Sequence, residues 1–393
     1  MKSAEKYILM FKNHEVLSFS VTFNAFKATF LEKLKYFNEA PYGMNDKDAD
    51  LNLLLLRFFN LRSIAPQRWD YDQILKATGC KSEYDLLFRG HGLSLSDHYW
   101  FKKEGENLKY EDINFFTNKW DDSFAKAVLK RDYDALKDCD LNIPDVATAG
   151  WGVKCWIYDN GPKLYKLGIV KDAYEDCLGE VLASKLAQRL LGKEEVVNYE
   201  LAKVGDGFAS ICPLITGIDE ELIPLQHVLP PELYGLYSLR NTNKNKNKEF
   251  LNKISEFDIP GLYERFIKLS VLRTLGFISD IHFGNISIIR NKKTGTIRLA
   301  PIYDLAGAFG SSKTGKEYVS KIDKGGYFII YFLFSNLEPD CDYSWYDPKR
   351  LEGFEKDIKN ILSKSSFYTP EMIEKIIAVY HQQKDYLDSV AKH

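Results

Sequence analysis

The sequence has little net charge of either sign. Its 53 basic and 55 acidic residues nearly cancel and leave a formal charge of -2. A protein that attracts a polyanion through its overall field needs a clear positive balance, so we expect no direct nucleic-acid binding. The densest basic tract, residues 241–250, has no aromatic residue between its lysines and is interpreted as a solvated loop.

Paired cysteines and long apolar runs are also missing. No CxxC or CxxH spacing occurs, which argues against a zinc ribbon or a disulfide framework and favours a reducing cytoplasm. No apolar run approaches the ~18 residues that a membrane span requires, and the N-terminus has no signal-peptide core. We therefore expect a soluble, cytoplasmic protein with no membrane partner.

The chain does have ample apolar material and length. Hydrophobic residues make up 45% of its 393 residues, and single cores stop growing at roughly 250–300 residues, so we expect two or three folded domains. In the first part, residues 14–24 resemble a strand and residues 48–64 a buried helix. His91 and His98 lie nearby without a third metal ligand, and both are interpreted as structural.

A hairpin followed by a helix is predicted further along the chain. Residues 152–158 and 163–168 read as two strands joined by Asp-Asn-Gly-Pro, and a loop with Gly150 and Gly152 opens the first strand. Apolar residues then recur at helical spacing up to Gly192, which is typical of a helix C-cap. From about residue 218 the pattern becomes mostly helical, most clearly over residues 261–279.

Polar residues gather at the ends of two apolar runs between residues 277 and 304. Asp280, His282 and Asn285 fall within one short loop, and Asp304 ends the second run. The runs are β-patterned and joined by Asn-Lys-Lys-Thr-Gly, so a hairpin should bring the end of the second strand beside the start of the first. We expect Asn285 and Asp304 to be neighbours.

This arrangement suits phosphoryl transfer. A divalent metal that bridges nucleotide phosphates takes oxygen ligands from carboxylates and amides, and a separate carboxylate orients the attacking hydroxyl. Asp280 would orient the hydroxyl, while Asn285 and Asp304 would hold magnesium. The spacing alone is equally consistent with a structural interpretation, in which Asp280 caps a turn, His282 is a buried hydrogen-bonding residue, Asn285 starts a strand and Asp304 forms an Asx turn.

Upstream residues favour the phosphotransferase hypothesis by their order. A kinase needs a loop over the phosphates, a lysine on the next strand and commonly an acid on the following helix. Gly150 and Gly152 could form the loop, Lys166 lies on the second strand of the hairpin, and Glu180 lies in the helix. Alternatives for the last two positions are the nearby residues Lys163, Glu175 and Asp176.

Several segments together resemble the HipA-like serine/threonine kinases. They cover residues 92–304 and comprise GLSLSDHYWFKKEG, YEDINFF, DVATAGWGVKCWI, LYKLG, GEVLASKLAQRL, SDIHFGNISI and LAPIYD. The resemblance implies an α+β, two-lobed protein-kinase-like fold with a β-rich N-lobe and a mostly helical C-lobe, preceded by a small α/β domain. The corresponding domains would span residues 1–140 for the N-terminal domain, 141–217 for the N-lobe and 218–393 for the C-lobe.

The resemblance also implies roles for individual residues. Asp280 matches the catalytic aspartate, Asn285 and Asp304 the metal ligands, and Lys166 the lysine that contacts the phosphates of ATP; His282 would brace the catalytic loop. Residues 148–154 match the phosphate-binding loop, in which Thr148 is the one hydroxyl residue and a candidate for autophosphorylation. The cofactors would be ATP and Mg²⁺ and the substrate a protein. In a toxin–antitoxin pair, the partner would be a small helix-turn-helix antitoxin.

The chain departs from the family at two positions beside the catalytic aspartate. Ile278 and Ile281 stand where many relatives have asparagine and arginine. Because the catalytic and metal-binding positions are kept, we favour an active kinase. Two alternatives remain open: a lipid or small-molecule phosphotransferase, because Asp-x-His-x-x-Asn also resembles the loop of phosphoinositide-type kinases, and a non-catalytic nucleotide-binding module.

Overall fold

The chain forms two compact units. The structure is a computed structural model and describes residues 4–23, 27–34, 39–44, 48, 50–168, 176–236, 244–311 and 340–391. The first unit comprises Met1–Lys166, Thr216–Leu222 and Asn291–Lys293, and the second comprises Leu167–Ile215, Ile223–Arg290 and Thr294–His393. The units are defined by spatial contacts and combine separate segments of the chain, so they do not test the boundaries of the three predicted domains, which stay predictions.

An antiparallel four-stranded sheet forms the core of the first unit. Its strands run in the order β3-β2-β1-β4, with bounds β1 Glu5–Phe11, β2 His14–Thr22, β3 Lys27–Lys33 and β4 Tyr99–Lys103. Strand β2 confirms the strand predicted over residues 14–24. Leu9 pairs with Leu17 on one side and Phe101 on the other, and all three side chains are buried. Alternate residues of each strand therefore fill one apolar layer.

The described residues of the first unit also form five α-helices, and the first of them is less buried than predicted. The helices are α1 Leu51–Asn60, α2 Tyr71–Thr78, α3 Glu83–Arg89, α4 Tyr110–Ile113 and α5 Ser123–Lys130. Helix α1 begins where the Asp50 carboxylate accepts the N–H groups of Asn52 and Leu53. Only its residues at four-residue spacing, Leu51, Leu55 and Phe59, are buried, while Leu53 is 53% exposed. The expectation of a buried helix was wrong for its outer face.

The predicted hairpin is present at the end of the first unit. Strands β5 Lys154–Tyr158 and β6 Pro162–Leu167 are antiparallel, and Asn160 and Gly161 adopt positive φ at the turn. The outer edge of β5 is covered: the Trp156 N–H donates to Asp145 Oδ1 at 2.9 Å, and the Trp120 indole donates to the Trp156 carbonyl at 3.4 Å. Side chains thus satisfy backbone groups that an edge strand would leave unpaired.

The second unit combines helices with short antiparallel strands. Its elements are α6 Asp176–Leu191, β7 Glu200–Val204, β8 Gly207–Pro213, β9 Glu220–Pro224, α7 Glu232–Leu236, α8 Lys244–Ile254, α9 Leu262–Gly276, β10 Ser287–Asn291, β11 Ile297–Leu299, α10 Phe354–Leu362 and α11 Pro370–Val390. Helix α6 ends before Gly192, whose φ is +93°, as predicted. It packs against β8, α9 and α10, which explains why most of its residues are buried.

Helix α8 corrects the interpretation of the lysine-rich tract as a loop. Residues 241–243 lie outside the described residues, but Lys244–Ile254 is helical. Phe250 and Ile254, four residues apart, are both buried, and the Phe250 ring lies 4.9 Å from that of Phe266 on α9. Packing of one apolar turn therefore stabilises a helix in a segment whose asparagines disfavour it.

No helix in the described part of the chain is long and apolar enough to cross a membrane.

Candidate active site

The loop that follows α9 holds the predicted catalytic residues at its surface. Phe277 ends the helix in a left-handed conformation with φ +43°, and its N–H bonds to the Arg273 carbonyl. Ile278 and Ile281 are 1% and 2% exposed, whereas the side chains of Asp280 and His282 are 54% and 52% exposed. The isoleucines that differ from the family are thus core residues, and burial explains why apolar side chains suit both positions.

Phe283 anchors this loop in an aromatic cluster. Its ring lies 5.1 Å from Tyr234, 6.0 Å from Phe250 and 6.0 Å from Phe266. Its carbonyl accepts the N–H of Gln226 at 3.1 Å. The buried ring fixes the residues on either side of it, which include His282 and Asn285.

His282 is oriented toward Asp280 by the backbone of Gly284. The Gly284 N–H donates to His282 Nδ1 at 3.0 Å, so the neutral imidazole carries its proton on Nε2. That nitrogen lies 3.6 Å from Asp280 Oδ1. A Cβ at Gly284 would lie 2.9 Å from Nδ1, so a side chain there would displace the imidazole from this position.

The second hairpin brings the predicted metal ligands together. Strands β10 and β11 are antiparallel, with Ile288 opposite Leu299, which confirms the predicted hairpin. Asn285 Nδ2 donates to the Asp280 carbonyl at 3.1 Å and reaches the Asp304 carbonyl at 3.5 Å. The expected proximity of Asn285 and Asp304 is confirmed. Since the amide nitrogen faces two carbonyls, Oδ1 is the atom that Asn285 can offer to a cation.

Asp304 has an unusual backbone conformation. Its φ is +55°, in the left-handed region, and its N–H donates to the hydroxyl of Tyr199 at 3.2 Å. Tyr199 is buried. Burial raises the pKa of its hydroxyl well above the ordinary value, and Cys212 and the carboxylates of Glu180 and Asp304 act in the same direction. The sequence offered no signal for Tyr199, which lies far from Asp304 along the chain.

Residues just after Asp304 dock onto the segment that precedes Asp280. The Ser279 hydroxyl donates to the Gly307 carbonyl at 3.3 Å, and the Phe309 N–H donates to the Gly276 carbonyl at 2.8 Å. Gly307 has φ +70°, and a Cβ there would lie 2.2 Å from Ser279 Oγ. The segment that carries Asp280 and the segment that carries Asp304 are therefore joined by these two hydrogen bonds as well as by the Asn285 amide.

Glu180 is buried in α6. It is 2% exposed, and Ser210 on β8 donates to its Oε2 at 2.5 Å. Its rival Asp176 lies one turn earlier and receives the Ser311 hydroxyl at 3.5 Å, while Glu175 lies outside the described residues. A buried carboxylate requires such hydrogen bonds, because an unsatisfied one would cost several kcal/mol.

The predicted phosphate-binding residues lie in the first unit. Gly150 has φ +108°, Gly152 has no atom within 4 Å of where a Cβ would stand, and the Thr148 hydroxyl donates to the Pro144 carbonyl at 2.7 Å. The loop therefore has a position that only glycine adopts readily.

Lys166 stands directly opposite Lys154 in the β5–β6 hairpin. Cross-strand partners point to the same face of a hairpin, so the two lysines share one face. The alternative Lys163 lies on the other face by strand alternation and forms an exposed 2.7 Å ion pair with Asp159. Our sequence reasoning missed Lys154, which the register around the Asp-Asn-Gly-Pro turn could have indicated.

The donors around Asn285 could hold a divalent cation together with ligands from outside the protein. Among the described residues, no three His, Cys, Asp or Glu side chains cluster to hold a metal ion. Mg²⁺ usually takes one or two carboxylates from the protein and fills its other positions with phosphate oxygens and water. The Asp304 carboxylate and the Asn285 amide oxygen match that demand.

Comparison with known proteins identifies the fold. No family model matches the chain, and no curated protein matches its sequence. The structure of HipA and HipB with operator DNA from Shewanella oneidensis MR-1 matches with a TM-score of 0.54 and 13% identity, over 100% of both chains. The chain has a HipA-like fold. The Helicobacter pylori proinflammatory kinase CtkA matches 61% of this chain and 90% of its own, with 14% identity and a TM-score of 0.42.

The HipA-like fold confirms the predicted resemblance at the level of structure. Mixed α/β content with several antiparallel sheets is also as expected. Operator DNA is part of the Shewanella structure, so the expectation that this chain avoids nucleic acid has no support from the comparison.

Proposed function

We propose that this chain is an ATP- and Mg²⁺-dependent protein kinase of the HipA type, which phosphorylates serine or threonine. The observation that carries the proposal is the Asn285 amide, which bonds to the backbones of both Asp280 and Asp304. One side chain thereby links the candidate catalytic loop to the candidate metal ligand. Phosphoryl transfer depends mainly on positioning and charge stabilisation, and this linkage supplies positioning.

Asp280 has the role of orienting the attacking hydroxyl. Its carboxylate is exposed, so a substrate hydroxyl can reach it, and the loop on either side is fixed by the buried Ile281 and Phe283. His282 holds its Nε2 3.6 Å from Asp280 Oδ1, so the imidazole lies beside the carboxylate that would orient the substrate. The hydroxyl oxygen would attack the γ-phosphorus of ATP as its bond to the leaving group ADP breaks, and the hydroxyl proton would pass to Asp280.

Asn285 and Asp304 are the proposed metal ligands. Their amide and carboxylate oxygens would hold Mg²⁺, which when bound neutralises the charge of the β- and γ-phosphates. The two ligands are tied by the hydrogen bond between the Asn285 amide and the Asp304 carbonyl. This bond and the hairpin would keep the two residues side by side.

The two-lobed organisation belongs to this proposal. Residues 141–217 would form the β-rich lobe and residues 218–393 the helical lobe, with residues 1–140 as a separate domain. Gly150, Gly152 and Thr148 would cover the phosphates, Lys166 would contact them, and Glu180 would be the helix acid. The positive φ of Gly150 and the place of Lys166 on the second strand of the hairpin that follows support this assignment.

We further propose that the kinase is the toxin of a toxin–antitoxin pair. The match to the HipA–HipB structure extends over the full length of both chains, including the region before the kinase lobes. A small helix-turn-helix protein would be the antitoxin.

Transfer of label from γ-labelled ATP tests the proposal. Asp280→Ala and Asp304→Ala should each lower protein phosphorylation by about 10²-fold or more, because each removes a group on which phosphoryl transfer depends. Magnesium-dependent ATP binding should survive in Asp280→Ala and fail in Asp304→Ala. Exposed Asp258, which lies between α8 and α9, provides the control Asp258→Ala, which should match wild type.

Growth of bacterial cells that express the same variants tests the toxin role. Wild type and Asp258→Ala should arrest growth, whereas Asp280→Ala should not. In the labelling experiment, equal labelling of protein by wild type and both active-site variants would rule out the kinase assignment. In the growth experiment, arrest by a variant that transfers no label would show that toxicity does not depend on phosphorylation.

A further inference from the structure

The backbone of Asp304 is held from two sides. A left-handed φ of +55° is uncommon for a residue other than glycine and persists only where the surroundings impose it. The Asp304 carbonyl faces the Asn285 amide, and its N–H donates to the Tyr199 hydroxyl. Asn285 belongs to the candidate site itself. Tyr199 comes from a distant part of the chain and has no role in the proposed chemistry so far.

A short parallel pairing explains how Tyr199 reaches this position. Val196 forms a parallel bridge with Ile302. The Ile302 N–H donates to the Glu195 carbonyl at 2.7 Å, and the Val197 N–H donates to the Ile302 carbonyl at 2.9 Å. Because both segments advance in the same direction, the residues after Val197 run alongside the residues that lead to Asp304.

Tyr199 is itself fixed by helix α6. Its backbone N–H donates to the Ser184 hydroxyl at 3.2 Å, and that hydroxyl donates to the Val197 carbonyl at 2.8 Å. Ser184 is buried on α6, and Tyr199 is 5% exposed. A buried ring whose backbone is bonded to a helix has few alternative positions, so its hydroxyl is a stable acceptor.

We infer that Tyr199 is a positioning residue for the metal ligand Asp304. The inference rests on the proposed function and adds a residue that the family resemblance did not indicate. Without the hydroxyl, the Asp304 N–H would lose its acceptor and the backbone would relax from the left-handed conformation. The carboxylate would then shift. Mg²⁺ demands near-ideal octahedral geometry, whereas Ca²⁺ accepts flexible ligand sets, so the two ions should respond differently.

Calorimetric titration of ATP into full-length Tyr199→Phe, with Mg²⁺ or with Ca²⁺, tests the inference. Phenylalanine removes only the hydroxyl. We expect Mg²⁺–ATP to bind about tenfold more weakly than in wild type, Ca²⁺–ATP binding to change much less, and metal-free ATP binding to stay the same. Tyr346→Phe is the matched control, because Tyr346 is also buried and its hydroxyl donates to Asp388 at 2.7 Å, away from the site.

A second variant keeps the Tyr199 hydroxyl and loosens its support. Ser184→Ala removes the bond to the Tyr199 backbone and should give a smaller, Mg²⁺-selective weakening. Equal Mg²⁺–ATP binding by wild type and Tyr199→Phe, or equal weakening with both metals, would overturn the inference and leave the kinase proposal standing. A wild-type protein that binds no ATP in the presence of Mg²⁺ would instead overturn the kinase proposal, and the role of Tyr199 with it.

Discussion

Asp145 is a buried carboxylate in the short turn that leads to the glycine-containing loop. Its Oδ1 accepts the Trp156 N–H, and its Oδ2 has no hydrogen-bond partner among the described residues. Arg68 is nearby, but its guanidinium forms a two-pronged ion pair with Asp70 at 2.6 and 3.0 Å. Burial therefore prevails over the Trp156 hydrogen bond and the charge of Arg68, and it raises the pKa of Asp145 to about 7.

This raised pKa predicts how stability depends on pH. Between pH 3.8 and 7 the folded protein keeps a proton on Asp145 that the unfolded chain releases, so the free energy of unfolding falls as pH rises through this window. Asp145→Asn removes the titration and retains an oxygen acceptor for Trp156. From pH 5 to pH 8, the free energy of unfolding of wild type, measured in urea, should fall by on the order of 2 kcal/mol relative to that of the variant.

Exposed Asp258→Asn is the control for this comparison, and its unfolding free energy should follow that of wild type at both pH values. If wild type and Asp145→Asn keep a constant difference between pH 5 and pH 8, Asp145 titrates normally in the folded state.

Among the elements, helix α6 packs unusually closely against the chain that follows Asp304. A Cβ at Gly179 would lie 2.2 Å from Ser311 Oγ and 2.5 Å from the Ala308 carbonyl oxygen. The neighbouring Phe309 is bonded to Gly276, so this segment cannot move away without disturbing the candidate site. Glycine is thus required inside a helix whose interior would otherwise favour alanine.

Gly179→Ala should destabilise the protein although alanine is the better helix former. Helix propensity alone predicts a gain of about 1 kcal/mol, whereas overpacking against a backbone carbonyl costs about 1–3 kcal/mol. We expect a net loss in the unfolding free energy measured by urea titration, together with weaker Mg²⁺-dependent ATP binding. Lys185→Ala, on the exposed side of α6, should change stability by less than about 0.5 kcal/mol. If Gly179→Ala unfolds with a higher free energy than wild type, the Ala308–Ser311 segment moves to make room for the added methyl group.

For the whole molecule, the division into two units predicts how unfolding depends on the probe. Trp69, Trp100, Trp120, Trp151 and Trp156 belong to the first unit and Trp345 to the second, while the longer helices belong to the second. Tryptophan fluorescence therefore reports mainly the first unit, and helical circular dichroism mainly the second. Proteins with several cores commonly unfold in more than one step.

Phe59→Ala should shift the fluorescence transition more than the circular dichroism transition. Phe59 is fully buried in the core of the first unit, and its truncation should cost about 3–5 kcal/mol. Leu272→Ala, in the buried centre of α9, is the reciprocal control and should shift mainly the circular dichroism transition. Equal shifts by both probes in both variants would mean that the units unfold as one cooperative structure.

Prediction from sequence succeeded where the pattern is local. Both hairpins, helix α6 with its Gly192 end, and the closeness of Asn285 to Asp304 follow from alternation, turn residues and helical spacing within short segments. It failed where tertiary packing overrides helix propensity. The lysines and asparagines of α8 predict a loop, but the burial of Phe250 and Ile254 stabilises a helix there. The outer face of α1 was misjudged because a continuous apolar run does not show which of its residues are covered by other elements.

The sequence by itself determined the order of the candidate site residues and the two hairpins that carry them, because hydrogen bonding between adjacent strands depends on nearby residues. Only the tertiary structure decided that Tyr199 holds the Asp304 N–H and that Ser210 bonds to Glu180. It also decided that Ile278 and Ile281 are core positions. These contacts join segments far apart in the chain, and burial in a shared core selects them, which no local pattern encodes.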